Sequence, residues 1–299
     1  MLRTEHLTKS YRSTVAIEDL NVEIPAGRVG LVGANGAGKT TLFRLVLGLV
    51  PPTAGRLQVG DLDVARDPVG VRARIGYMPE HECLPLDQSA ADVVATLGEL
   101  AGIPARAARQ RASDVLDVVG LDEARFRPVG TYSTGMRQRT KLAQALVADP
   151  EVLLLDEPTS GLDPSGRDEM LELVARLGDS AMSVVMSTHV LADVQRTCDH
   201  VVMLDGGRLV VSGRTDELLD VTGTVLVEVD GPAEPLAAAL AARSLRCTSV
   251  GSRVEVVAPE PAAALDAIRD AVADLGLPLN RLSTGLTSLD EVFLGRVAR

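Results

Sequence analysis

The residues Gly33-Ala34-Asn35-Gly36-Ala37-Gly38-Lys39-Thr40 lie between an apolar run, Arg28 to Val32, and an amphipathic stretch, Thr41 to Leu47. Glycines at this spacing let the backbone wrap closely enough for successive N–H groups to point at phosphate oxygens, while the following helix presents its positive end. Gly33, Asn35, Gly36, Gly38 and Thr41 would shape this cradle. Lys39 can reach a β and a γ phosphate, and Thr40 can place its hydroxyl on Mg²⁺. The chain has 27 arginines but only Lys9, Lys39 and Lys141 as lysines, so a lysine here argues against an incidental Gly-rich turn.

A second constellation closes the apolar run Val152-Leu153-Leu154-Leu155 with Asp156-Glu157. Two carboxylates at the end of a buried strand are costly unless they serve a cation or a water. Asp156 suits a Mg²⁺ held through its water shell, and Glu157 suits the orientation and deprotonation of an attacking water. Taken alone, the pair reads as an acidic turn leading into Pro158. The phosphate loop upstream favours the chemical reading.

The elements that must position these groups alternate short apolar runs with amphipathic segments up to about Asp220, as in an α/β protein with a largely parallel sheet. Arg28 to Val32, Val152 to Asp156, Ser183 to Ser187 and His200 to Leu204 are the expected core strands. Leu2 to Tyr11 and Leu20 to Ile24 read as an added antiparallel subsheet. Residues 84–149 read as a helical insertion, with helices over Ala90 to Gly102 and Ala105 to Val119. After Asp220 the order is β (Thr224 to Val229), α (Leu236 to Arg243), β (Leu245 to Val250), β (Arg253 to Val257), α (Ala262 to Leu275) and β (Leu279 to Ser283). This is the split β-α-β order of a ferredoxin-like sandwich. Ser288 and Glu291 have capping-box spacing for a closing helix.

A chain of 299 residues suggests about two domains at roughly 150 residues each, with room for a substantial core. Its 41 acidic and 30 basic residues give a net charge of −11, which argues against a nucleic-acid partner. Three Phe, three Tyr and no Trp leave little for base-stacking platforms, so the core must be aliphatic. Cys83, Cys198 and Cys247 have no metal-ligand spacing and suit a reduced, cytoplasmic protein. No apolar run approaches the ~20 residues that span a bilayer, so a membrane role is expected to be peripheral.

Taken together, the motifs resemble the nucleotide-binding domain of ABC transporters over residues 1–220. Tyr132-Ser133-Thr134-Gly135-Met136 resembles the family's signature motif, Ser160-Gly161-Leu162-Asp163 its D-loop, and Ser187-Thr188-His189 its switch histidine. The resemblance implies ATP and Mg²⁺ as ligands, with Thr40 and Asp156 on the metal. Lys39, Glu157 and His189 would be catalytic. Tyr11 would stack on adenine, and Ser133, Gly135 and Asp163 would meet an ATP held by the opposite protomer. Three positions depart from the family pattern: Glu80 stands where many members have glutamine, Thr134 replaces the first signature glycine and Met136 the glutamine. Glu80 could still join the Mg²⁺ shell.

The implied fold is a P-loop ABC-type domain with antiparallel β and helical subdomains, followed over residues 221–299 by a small α+β ferredoxin-like domain. Thr287 to Leu294 look like the close of the C-terminal extension in drug-resistance-type bacterial exporters, whose permease is a separate chain. The implied function is an ATPase subunit that dimerises around two ATP, as a homodimer or with another ABC subunit. It would power an integral-membrane permease at the cytoplasmic face of the cell membrane, exporting a drug-like, lipidic or other small molecule. A different class remains open: a soluble ABC ATPase or a ligand-sensing, nucleotide-gated module without a permease.

Overall fold

The computed structural model describes residues 1–12, 14–179, 182–219, 224–257 and 261–285. The chain divides into two compact units, Met1–Thr215 and Asp216–Arg299.

In the first unit, β1 (Leu2–Tyr11) and β2 (Thr14–Ile24) pair antiparallel and precede β3 (Arg28–Val32) and α1 (Lys39–Val46). Then come β4 (Ala54–Val59), β5 (Leu62–Asp63), α2 (Pro68–Ala73) and β6 (Ile75–Met78). The helices α3 (Ala90–Leu100), α4 (Ala105–Val118) and α5 (Thr134–Leu146) follow. β7 (Val152–Asp156), α6 (Pro164–Gly178), β8 (Ser183–Thr188), α7 (Leu191–Thr197), β9 (His200–Asp205) and β10 (Arg208–Arg214) complete the unit.

A six-stranded sheet in the order β10-β9-β3-β8-β7-β6 forms its centre, with only β10 antiparallel. Burial on both faces explains why these strands are continuous apolar runs: every residue of β7 and β8 is buried. Parallel strands bring their C-terminal ends to one edge. The Gly33 loop after β3, Glu80 after β6, Glu157 after β7 and His189 after β8 therefore share that edge.

The second sheet, β2-β1-β4-β5, lays Leu2, Leu7, Ile17, Leu20 and Leu57 into one core cluster with Phe43 of α1. Phe43 also meets Tyr77 edge to face, with centroids 6.4 Å apart, which packs α1 against β6. β2 begins at Thr14, well before the expected Leu20. His6 and Asp19 adopt left-handed φ values of 48° and 46°, and the β1–β2 register shifts around them. Such bulges break the alternation on which a strand reading depends. The helices match their expected positions: Ser89 caps α3 by accepting from Asp92 N, and α4 buries Ala108, Ala112, Val115 and Leu116 at helical spacing. α3 stops at Leu100, with Gly102 at φ 93°.

The second unit opens with residues Asp216 to Leu219 of α8 (Thr215–Leu219). It continues with β11 (Thr224–Val229), α9 (Glu234–Ala242), β12 (Arg246–Val250), β13 (Arg253–Val257), α10 (Pro261–Leu275) and β14 (Leu279–Gly285). Its antiparallel sheet has the order β12-β13-β11-β14, as the split β-α-β reading requires. Val225, Val227, Val254 and Val256 pack with Leu236, Leu240 and Ile268 as its core. The expected closing helix at Ser288 and Glu291, and the segment Thr287 to Leu294, lie outside the described residues.

Candidate functional site

The loop between β3 and α1 surrounds a cavity of about 290 Å³ lined by Asn35, Gly36, Gly38, Lys39, Thr40 and Thr41, together with Glu80 and Glu157. Two of its glycines are dictated by space. A Cβ on Gly38 would stand 2.6 Å from the Ala16 carbonyl oxygen at a φ of 104°, and one on Gly33 would stand 2.5 Å from the Leu204 carbonyl oxygen. Gly36, at φ 85°, has open space where a Cβ would be and is required for its backbone angle alone. Lys39 is 6 % exposed, and its Nζ donates to the Gly33 carbonyl at 2.6 Å.

Glu157 stands opposite. Its Oε1 lies 3.3 Å from Lys39 Nζ, close enough for an ion pair but misaligned for a hydrogen bond, so this buried oxygen lacks a hydrogen-bond partner. Its Oε2 lies 3.0 Å from His189 Nδ1. A carboxylate acceptor there assigns the proton to Nδ1 and leaves Nε2 of the half-exposed ring available to a ligand. The Glu157 backbone has φ 49°, and its N–H donates to both the carbonyl (3.2 Å) and the Oγ (3.1 Å) of Ser187. Ser187 Oγ in turn donates to Asp156 Oδ1 at 2.6 Å, while the Tyr77 hydroxyl donates to Oδ2 at 3.4 Å. Burial first, and then the neighbouring Asp156 charge, push the Tyr77 phenol above its ordinary pKa, so it stays a donor.

The donors here are hard oxygens, a hydroxyl and carboxylates, which suit Mg²⁺ with its retained waters and substrate phosphates. Among the described residues, no group of three or more His, Cys, Asp or Glu side chains forms a metal cage. The close-fitting glycine cradle fits phosphate, and the unpartnered Glu157 Oε1, an acceptor, fits a water or a hydrated cation beside it.

Ser133, Gly135 and Asp163 line a different cavity, of about 580 Å³, which shares no lining residue with the first. Ser133 caps α5, its Oγ accepting from Met136 N at 3.3 Å, and Asp163 caps α6 by accepting from Gly166 N at 3.3 Å. Gln138, buried on α5, donates to the Ser160 carbonyl at 3.0 Å and joins the two loops. Tyr11 lies 39 % exposed at the end of β1, beneath Lys9 Nζ at 4.9 Å from its ring centroid, and lines neither cavity. The roles of Ser187 and Gln138 were not foreseen from sequence. Their signal was only adjacency to the switch and signature motifs.

Residues 17–160 match the ABC transporter family. The daunorubicin resistance ATP-binding protein DrrA3 of Streptomyces coeruleorubidus is 36 % identical over 96 % of this chain and 92 % of its own. The Nod factor export ATP-binding protein I of Ralstonia nicotianae is 32 % identical over 100 % and 94 %. Among solved structures, cbiO1 from Clostridium perfringens, part of the ABC transporter complex cbiONQ, superposes with a TM-score of 0.66. It is 29 % identical over 73 % of this chain and 89 % of its own. The chain therefore belongs to the ABC transporter family. It is one of that family's ATP-binding, ATP-hydrolysing proteins. No helix among the described residues is long and apolar enough to cross a membrane.

Proposed function

We propose that two such subunits, either two copies of this chain or this chain with another ABC subunit, close head to tail around two ATP. The supporting observation is the division of the family's nucleotide-binding motifs between two cavities with no residue in common. The Gly33 to Thr41 loop holds the triphosphate of one ATP. Ser133 and the N–H groups at the start of α5 complete that site from the other subunit, where the helix N-terminus favours a γ phosphate. Asp163 meets the same nucleotide beside them. Lys39 exchanges its Gly33 carbonyl for phosphate oxygens, and Tyr11 stacks on adenine.

Glu157 takes a proton from the attacking water as the water oxygen bonds to the γ phosphorus, and the bond to the β–γ bridging oxygen breaks to leave ADP and phosphate. His189, oriented through Nδ1 by Glu157, offers Nε2 to the γ phosphate. Thr40 and Asp156, with Glu80 on the same cavity, are the residues that would hold Mg²⁺, which supplies neutralisation of developing phosphate charge.

The subunit drives a separate integral-membrane permease from the cytoplasmic face of the membrane and exports a drug-like, lipidic or other small molecule. The names of the daunorubicin-resistance and Nod-factor-export relatives support export. Residues 1–220 carry this chemistry, and residues 221–299 form an accessory domain.

Glu157→Gln tests the reading, because it keeps shape and removes the base. Turnover should fall roughly 10²- to 10⁴-fold while ATP binding persists. Sedimentation should show a dimer with ATP and not with ADP, which the additional change Ser133→Arg returns to monomer. Near-normal hydrolysis by Glu157→Gln rules out the base assignment. A variant that binds ATP yet never dimerises, even with the co-purified permease, rules out the head-to-tail site.

A further inference from the structure

Lysine is scarce in this chain, and Lys141 has no part in the chemistry above. It lies on α5 and is 3 % exposed. Burying an ammonium is costly, and that burial holds its pKa below the ordinary lysine value. Its recorded partners are backbone oxygens: Nζ donates to the Glu80 carbonyl at 2.7 Å and to the His81 carbonyl at 3.4 Å. Both belong to the loop that leaves β6 and brings Glu80 to the lining of the Lys39 and Thr40 cavity.

α5 is placed to act as a strut. Ser133 caps its N-terminus. Gln138, one turn before Lys141 and on the same face, holds the Ser160 carbonyl. Near its C-terminus the Ala145 carbonyl oxygen lies 2.1 Å from where a Cβ of Gly76 would stand, so the helix rests directly on β6. The helix is thus fixed at the strand, and Lys141 reaches the loop just beyond that strand. Only a long side chain with several donors and no acceptor can take two carbonyls from a buried helical face.

We infer that Lys141 is a positioning residue for the ATP site: by taking the Glu80 and His81 carbonyls, it ties the Glu80 loop to α5. Glu80 is then held in the lining of the Lys39 and Thr40 cavity and moves as one body with Ser133. This rests on the reading of Glu80 as a contributor to Mg²⁺ binding. Because Ser133 serves the opposite subunit's nucleotide, the tie makes closure of one site felt at the metal side of the other within a single chain.

The test uses the full chain with Lys141→Met, Glu80→Gln and the double variant. Two readings are taken: backbone amide exchange over residues 80–83, and the Mg²⁺ concentration giving half-maximal ATP turnover. Loss of a charged donor from two carbonyls should accelerate loop exchange on the order of tenfold in Lys141→Met. The half-maximal Mg²⁺ concentration should rise about three- to tenfold, with no further rise from Lys141→Met in the Glu80→Gln background. Unchanged loop exchange overturns the inference, and so does a Lys141→Met shift that persists undiminished in the double variant. A flat Mg²⁺ response in Glu80→Gln overturns the underlying Glu80 reading. A shifted response there with an unaltered one in Lys141→Met overturns the inference alone. If Lys141→Met does not fold, Lys141→Gln, which keeps a polar head but is too short to span to the loop, is held to the same outcomes.

Discussion

Ser187→Ala isolates one oxygen atom on which both site carboxylates depend. Ser187 is fully buried, and its Oγ donates to Asp156 Oδ1 at 2.6 Å while accepting from Glu157 N at 3.1 Å. The Glu157 N–H keeps the Ser187 carbonyl at 3.2 Å, so its loss is small. Asp156, 1 % exposed, keeps only the longer 3.4 Å contact from Tyr77 among these donors. A hydrogen bond to a charged group contributes about 1.5–3 kcal/mol, and here nearly all of that falls on Asp156. At about 2–4 °C per kcal/mol for a unit of this size, a loss of about 2 kcal/mol lowers Tm by roughly 4–8 °C. Turnover should fall by about 10- to 100-fold, because a misplaced catalytic group can cost up to ~10²-fold, while ATP binding at Lys39 is spared. Thermal unfolding and Mg²⁺-dependent ATP hydrolysis read the two effects. A Tm within about 1 °C of the parent, together with turnover within about twofold, would refute the account of Ser187 as the shared anchor.

Gly38→Ala places a methyl 2.6 Å from the Ala16 carbonyl at φ 104°, so it should cost about 1–3 kcal/mol from backbone strain before any clash and abolish nucleotide binding. Calorimetry with an ATP analogue checks the binding, and retained affinity would contradict the cradle geometry. At the opposite end of β3, Arg28 donates to Asp199 at 2.7 and 3.0 Å, and these bonds hold the Asp199 carboxyl below its usual pKa. The stability they contribute is present above the ordinary carboxylate range near pH 4 and is lost as pH falls through the lowered value. Asp199→Asn should therefore be less stable than the parent at pH 7, with the gap closing under acid, as followed by denaturant unfolding; a pH-independent gap would contradict the assignment. A chain ending after residue 219 should still bind ATP, because every site residue named above precedes that point. A folded truncation that cannot bind would place part of the site in the second unit.

The strands of the central sheet were legible because burial on both faces leaves an uninterrupted apolar run, as Val152 to Asp156 show. The second unit was legible for another reason: valines at 225, 227 and 229 and at 254 and 256 alternate with exposed or half-buried residues along β11 and β13, marking one covered face. The first half of β2 was not legible. Bulges around His6 and Asp19 put Thr14 to Asp19 out of phase with any simple alternation, and the pairing that rescues this segment comes from β1, not from its own pattern.

The same division separates the parts of the site. Lys39, Thr40, Asp156 and Glu157 declare themselves because their chemistry is tied to a local backbone shape: a glycine loop entering a helix, and the end of a buried strand. Ser187 and Lys141 act on residues far away in sequence, at separations of 31 and 61 positions, and neither carries a local pattern. What sequence does reveal about them is cost. A lysine at a core-facing position of an otherwise ordinary helix is unfavourable unless something beside it must be held, and Asp156 beside Glu157 is unfavourable unless a donor arrives from a neighbouring strand. The informative question about a buried polar residue is therefore which loop would be released by its loss. For Lys141 that loop is the one bearing Glu80, one of the three positions at which the motifs depart from the family pattern. On the proposed reading of the site, a carboxylate there adds charge beside a triphosphate and has to be held where a cation can meet it, which gives this chain a physical reason for a fixed tether that an amide in the same place would need less.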